Sequence, residues 1–462
     1  MSSKIHSTHS PATQNAAQHS DSTVPAESPD TAASRRRFLT TSSAIAGGVF
    51  AASAAPRVHA AGDARGSTIK IGVVGCGGRG SGAIRNALNA GKDVKLVAVA
   101  DLFEENVTSA VEGVEEQAKT IYKGQVDVPP ERRFTGFDCY QQMLGKTDVD
   151  VVLLTSPPAY RPAQIEAAVA AGKHVFCEKP IATDPTGVRR VMAACQAAKE
   201  KNLNIVSGLC WRYDTGVKET MKRIHDGAIG EIITAQSNYL AGPVWVRPKK
   251  ENETEMHYQC RNWYYFTWLS GDHIVEQFIH GLDKLMWLHH DTPPVKAYGM
   301  GGRQRRSDFT QGEIYDHFHV VYEWADGTRA FANTRQIRGC MNQTDEFVYG
   351  TKGQAVILQN RIKNELETWE FDSKKKEGSM YDLEHVALFD AIRGDRDTIN
   401  NGTYMCQSTL MAILGREVCY SGREISWEDA MKSEMDLMPK TLAFDAEAPE
   451  PKVRQPGKYR FR

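Results

Sequence analysis

The chain has 462 residues, 41% hydrophobic and 24% charged, and its 56 Lys plus Arg nearly balance 57 Asp plus Glu for a formal charge of −1. Such a length exceeds what one core usually serves, so two globular domains behind a removable leader are expected, not a disordered or membrane-embedded chain. Near-neutrality argues against a nucleic-acid or anionic-lipid partner, and nine cysteines without any C-x-x-C pair indicate neither a zinc ribbon nor a fully paired disulfide framework.

Residues 1 to 33, rich in Ser, Thr, Ala, Pro and His, read as a disordered preface. Ser34-Arg35-Arg36-Arg37-Phe38-Leu39 is a twin-arginine pattern, followed by a weakly apolar stretch from Ser42 to Ala55 and a small-residue exit at Val58-His59-Ala60. The pattern predicts a signal over residues 1–62, export to the periplasm or beyond, and no membrane span in the mature protein, because the stretch is too short and too rich in Ala, Gly and Ser. The twin-arginine route carries folded proteins, so a tightly held cofactor fits it. A basic cluster before a surface Ala-rich helix is the competing reading.

From Thr68 the texture becomes strand, helix, strand: Ile69 to Val74, Ser81 to Ala90, Val94 to Ala100. The rhythm continues through Val149 to Thr155, a helix over Pro162 to Ala171, His174 to Cys177, a helix over Pro185 to Lys201, and Asn204 to Leu209. This alternation predicts a doubly wound parallel sheet, a Rossmann domain over residues 66–212. Beyond it, helices at Gly216 to Asp226 and His273 to His289 alternate with β-type runs at Glu231 to Leu240, Val295 to Gly301, His317 to Trp324 and Thr328 to Gln336, with a turn at Ala325-Asp326-Gly327. A second domain on a largely antiparallel open sheet is expected over 213–430, closed by helices near Tyr381 to Arg393 and Gln407 to Cys419. The proline-punctuated tail, 431–462, reads as an arm.

Gly75-Cys76-Gly77-Gly78-Arg79-Gly80 satisfies G-x-G-x-x-G between a strand and a helix, where the backbone and helix N-terminus receive a pyrophosphate. Asp101 ends the second strand about twenty residues beyond the last glycine, where a carboxylate takes ribose hydroxyls. NAD is therefore favoured as cofactor. NADP stays possible, because Arg79 could offset a 2′-phosphate.

Cys177-Glu178-Lys179-Pro180 ends a strand preceded by Ala171-Gly172-Lys173-His174-Val175-Phe176, and a later helix carries Glu276, His280 and Asp283. With the glycine fingerprint before them, these ordered motifs resemble the Gfo/Idh/MocA oxidoreductases, the family of glucose-fructose oxidoreductase and inositol dehydrogenase. The resemblance covers Ile71 to Asp283, and its domain layout runs to roughly residue 430. It implies that Lys179 meets nicotinamide and substrate hydroxyl, that Glu276 and His280 form the acid/base pair, and that Ser156, Pro157, Glu178 and Arg212-Tyr213 stand at cofactor and substrate positions. It also implies a homodimer or homotetramer joined through the open sheet face. Independently, the i, i+4, i+7 spacing of Glu276, His280 and Asp283 would put all three on one helical face, and an imidazole beside a carboxylate is a competent base. The sequence departs from the family pattern at Glu276 for an aspartate, at Leu269-Ser270-Gly271-Asp272-His273 for a glycine-rich stretch, and at Arg161 for a histidine.

Arg261-Asn262-Trp263-Tyr264-Tyr265-Phe266-Thr267-Trp268 packs aromatics before the proposed catalytic helix. Trp263, Tyr264 and Asp272 are candidate sugar contacts, although such clusters also serve as core or subunit interface. The leading expectation is an exported dehydrogenase for a sugar or polyol that retains its NAD. A redox-assisted glycoside hydrolase, using Asp272 and His273 as extra acid/base groups, is the alternative, and a non-catalytic sugar-binding protein stands third.

Overall fold

The computed structural model describes residues 67–461, so the predicted leader and twin-arginine motif lie outside the described residues. Six strands form the first sheet: β1 Ile69–Val74, β2 Val94–Asp101, β3 Arg133–Thr135, β4 Val151–Leu154, β5 His174–Cys177 and β6 Ile205–Ser207. Their order is β3-β2-β1-β4-β5-β6, every pairing is parallel, and the sequence pattern is that of the expected Rossmann domain. Almost every residue of β1, β2, β4 and β5 is buried, because crossover helices cover both faces. Two of these helices are α1 Gly78–Asn89 and α2 Arg161–Ala170. The next, α3 Pro185–Glu200, begins on Pro185 with Asp184 accepting the Gly187 amide at 2.7 Å.

The second sheet has nine strands: β7 Ile232–Ala241, β8 Lys296–Gly302, β9 His317–Glu323, β10 Arg329–Gln336, β11 Gln343–Gly350, β12 Gly353–Val356, β13 Arg361–Asn364, β14 Thr368–Glu370 and β15 Ile425–Ser426. Its order is β14-β13-β12-β11-β7-β10-β9-β8-β15, and only β7 with β10 is parallel. The β9–β10 turn is the expected one, with Gly327 at φ +86°. Four further helices matter to the site: α4 Glu255–Arg261, α5 His273–Glu276, α6 Ile279–Leu288 and α7 Met380–Arg393. A last long helix, α8 Gly402–Ser421, is apolar nearly all round and correspondingly buried.

Two expectations need correction. The division at residue 212 is incomplete, since Leu388, Phe389 and Ile392 of α7 return to complete the Rossmann core around Ile69, Ala83 and Phe176. The helix expected over His273 to His289 is broken: the amides of Gln277 and Phe278 both reach the His273 carbonyl at 3.0 Å, and a new turn starts from the Phe278 carbonyl. Packing decides this. Gly281 presses on β7 so closely that a Cβ there would stand 2.4 Å from Ser237 Oγ, and Phe278 is fully buried.

A third core joins the halves. Phe103, Ala159 and Tyr160 of the Rossmann side meet Met256 to Leu269 and the arm residues Leu437, Leu442 and Phe444. Phe444 packs on Phe103 at 5.7 Å, Phe137 at 5.1 Å and His257 at 4.7 Å between ring centroids. Rather than trailing free, the arm is also fastened at Leu437 N to Asp184 and at Tyr459 Oη to Glu417.

Candidate functional site

The glycine loop is dictated by space. Gly75 has φ +96°, and a Cβ on it would lie 2.4 Å from Ser156 N, while a Cβ on Gly80 would lie 1.8 Å from the Gly75 carbonyl. Added to Gly77 or Gly78, it would meet nothing within 4 Å. The first and third glycines thus let β1, α1 and the end of β4 close up, and the middle pair leaves backbone bare toward a cleft. No side chain caps α1 at Gly77, so its first amides stay available to an anion.

Asp101 braces this loop. One carboxylate oxygen accepts the Cys76 amide at 2.5 Å, and the other accepts Phe103 N at 2.9 Å and Asn106 Nδ2 at 3.0 Å. Three of roughly four acceptor positions are used, and Asp101 still lines the cleft. Burial pushes its carboxyl up from the ordinary value, against the pull of those donors.

The cleft encloses about 350 Å³. Gly75 to Gly80, Asp101, Ser156, Pro157, Glu178 and Lys179 line it on the Rossmann side, with Trp263 and Glu276 facing them. Open glycine amides, the Asp101 carboxylate and a lysine farther along the groove are groups that would hold a dinucleotide.

There Lys179 Nζ donates to the Glu276 carbonyl at 2.7 Å and lies 3.2 Å from Glu276 Oε1. Both side chains are only 12% exposed. Behind them Arg79 donates to Glu178, with Glu384 of α7 3.7 Å from the same guanidinium. Burial drives the Glu178 carboxyl up, but Arg79, Lys179 and Arg161 outweigh it and hold it below the usual range. At Glu384 burial and the neighbouring Glu178 charge outweigh the pull of Arg79 and push the carboxyl well up, and neither of its oxygens has a hydrogen-bond partner among the described residues.

His280 begins the second helical segment, half-buried beyond the cleft wall, with Nδ1 unpartnered among the described residues. Burial, then the ammonium groups of Lys179 and Lys284, hold its imidazole well below the ordinary 6.5.

Four expected site residues stand elsewhere. Arg212 is clamped by Asp283 at 2.9 Å and Asp291 at 2.6 Å and lies over Tyr404 at 3.9 Å, so it is a buried structural cation and not a cofactor ligand. Tyr213 turns its hydroxyl to Asn401 at 3.0 Å. Tyr264 sits behind the wall, its hydroxyl accepting from Gln336 at 2.7 Å. Asp272, fully buried, accepts from His273 N, Tyr315 N and Tyr420 Oη at 2.5 to 2.7 Å and faces no cleft. Its φ of +72° and these donors make it the post on which α5 starts. The broken helix also separates Asp283 from the Glu276 site.

Sequence reasoning missed Phe103, Phe137, Trp245 and Arg247, which all line the cleft. The signal for Trp245 was its place in a polar, proline-marked segment with no apolar periodicity to bury it.

Among known proteins, the family model described as oxidoreductase family, NAD-binding Rossmann fold (GFO_IDH_MocA) matches residues 69–206. The model of the GFO/IDH/MocA C-terminal domain matches 217–356. The chain is 32% identical over 262 residues to inositol 2-dehydrogenase 3 of Saccharopolyspora erythraea, covering 57% of this chain and 65% of that one. It is 30% identical over 224 residues to inositol 2-dehydrogenase of Klebsiella pneumoniae, covering 48% and 55%. It thus spans less than two thirds of these curated relatives. The fold is shared with solved structures, among them scyllo-inositol dehydrogenase from Lactobacillus casei with bound NAD(H) and scyllo-inositol (TM-score 0.59, 21% identity, 78% of this chain and 100% of that one). Another is aldose-aldose oxidoreductase from Caulobacter crescentus (TM-score 0.61, 19% identity, 78% and 99%). With both family domains matched in order over more than half its length, this chain belongs to the Gfo/Idh/MocA oxidoreductases.

Proposed function

We propose that this protein is an NAD-dependent oxidoreductase acting on a CH–OH group of a sugar or polyol. The observation that carries the reading is the Lys179–Glu276 pair, largely buried in the wall of the cleft that the open glycine loop and Asp101 also line. A bound NAD would supply the hydride acceptor. The chain's own residues do the rest: Lys179 offsets the negative charge that grows on the substrate oxygen as its proton leaves, Glu276 holds the ammonium in place, and His280, behind the cleft wall, is the candidate base. The substrate class is supported by inositol dehydrogenases among the relatives.

Export through the twin-arginine route and retention of the cofactor belong to the same reading, since free dinucleotide is scarce outside the cytoplasm. Assembly into a homodimer or homotetramer is supported by the uncovered sheet face, which exposes Tyr298, Met300, Phe331 and Tyr349. The glycosidase alternative is weakened because Asp272 and His273 are fully buried.

The test is denaturation of the natively purified, signal-processed protein and identification of the small molecules released. NAD in near-stoichiometric amount, reduced on incubation with a sugar or polyol, supports the proposal, and a protein that neither carries nor binds NAD refutes it.

Asp101→Ala is expected to weaken NAD by about 10- to 100-fold, the weight of a charged hydrogen bond, and to narrow its advantage over NADP; titrating the apoprotein with both dinucleotides checks this. For pH, the sign follows from the neutral imidazole: a base is active above its pKa and fails as pH falls through it. Because the pKa of His280 is depressed, kcat/KM of the NAD-loaded enzyme should hold past pH 6.5 on acidification, with the His280 limb below that value. A fall centred on the ordinary histidine value would count against His280.

A further inference from the structure

Four cations line the cleft: Arg79, Arg161, Lys179 and Arg247. Arg79 is held by Glu178, Lys179 by Glu276, and buried Arg161 donates to the Pro180 carbonyl. Arg247, like Arg161, has no acidic partner among the described residues, but unlike Arg161 it is exposed: it stands on the wall facing the Rossmann side, and its Nη1 donates to the Arg261 carbonyl at 3.2 Å.

The neighbours make this informative. In the same segment Arg261 pairs with Glu253 at 2.7 Å, Lys249 with Glu255 at 2.8 Å and His257 with Glu253 at 2.6 Å. Each of these three cations has an acid within reach, whereas Arg247 has none among the described residues. The guanidinium is nonetheless positioned: its own amide donates to buried Asn262 at 2.9 Å, and its plane lies 4.7 Å from the centre of Trp245. Trp245 leaves 41% of its surface exposed in the cleft and meets Trp263 edge-on at 5.9 Å. Tyr264, behind this wall, is near enough to Glu276 to feel its charge. An uncovered indole beside a preset, acid-free guanidinium presents an apolar face for sugar C–H groups and a forked donor for an anion.

We infer that the substrate is an acidic sugar derivative, its carboxylate or other anionic substituent bound by Arg247 against Trp245 while a hydroxyl reaches Lys179. This rests on the oxidoreductase reading above. A cofactor phosphate is the other source of such an anion, and the test separates the two.

The test uses the full-length NAD-loaded protein and Arg247→Gln. Glucuronate, galacturonate and gluconate are compared with glucose, galactose and glucitol, reading binding by tryptophan fluorescence quenching and turnover by reduction of the bound NAD; thermal unfolding and NAD content of the variant are measured beside them. The expected result is an acid preferred over its neutral parent by about 10- to 100-fold in wild type, a preference lost in Arg247→Gln with NAD content unchanged. A preference for neutral sugars, an acid preference that survives Arg247→Gln, or weakened NAD retention in the variant overturns the inference. Acid binding without any turnover would sink the oxidoreductase reading and leave the anion site standing; absence of both binding and turnover removes both.

Discussion

Lys179→Ala is expected to yield a folded protein that keeps its dinucleotide yet turns over about 100- to 10,000-fold more slowly. Among the described residues the ammonium hydrogen-bonds Glu276, through its carbonyl and carboxylate, and makes no hydrogen bond to the glycine loop or to Asp101. Its removal therefore spares the groups that hold the cofactor. What disappears is the one positive charge placed where substrate oxygen gains negative charge, an interaction worth most in a water-poor pocket. Such a change lowers kcat more than it raises KM. Steady-state kinetics with quantified NAD content would decide it: wild-type turnover in this variant would remove Lys179 from the chemistry, and loss of NAD would make it a cofactor anchor instead.

Asp283→Ala is expected to act on stability instead, by about 3–5 kcal/mol. Asp283 is 1% exposed, takes the Arg212 guanidinium at 2.9 to 3.1 Å and accepts from Ser408 at 2.8 Å. Deleting it leaves a buried arginine with Asp291 as its remaining carboxylate, and a stranded charge costs far more than a lost surface pair. Urea unfolding should show an earlier midpoint, while kcat of the folded fraction stays near wild type. An unchanged midpoint with collapsed kcat would return Asp283 to the catalytic group that its helical spacing first suggested. Arg212→Met combined with Asp283→Leu should recover much of the loss, since the pair is then removed together.

The contrast between these residues marks how far the sequence could be read. Continuous apolar runs ending in glycine or E-K-P specified the parallel sheet, because a strand buried on both faces has little choice of composition. Gly75, Gly80 and Asp101 were legible for a similar reason: steric and electrostatic demands at a strand-to-helix turn admit few residues. Spacing misled where packing overrides it. Glu276 shares a face with His280 and Asp283 only on an unbroken helix, and the break at Gln277 and Phe278 parts it from them. Arg212 was expected at the site from the family resemblance and Asp272 as an acid/base group beside the aromatic run, yet each serves as a hydrogen-bonding post. Arg247 and Trp245 carried no periodic signal, since their place comes from a long-range fold of residues 242–262 over the Rossmann edge.

Phe444 lies within the last twenty residues, and Phe103 and Phe137, on which it rests, border the cleft. The ring comes later in the chain than every strand of either sheet, so the groove's rim is completed by a segment that belongs to neither sheet. A protease nick in the arm would spare the Rossmann strands but unlatch that rim, so ageing or clipped preparations should leak dinucleotide before they lose their fold.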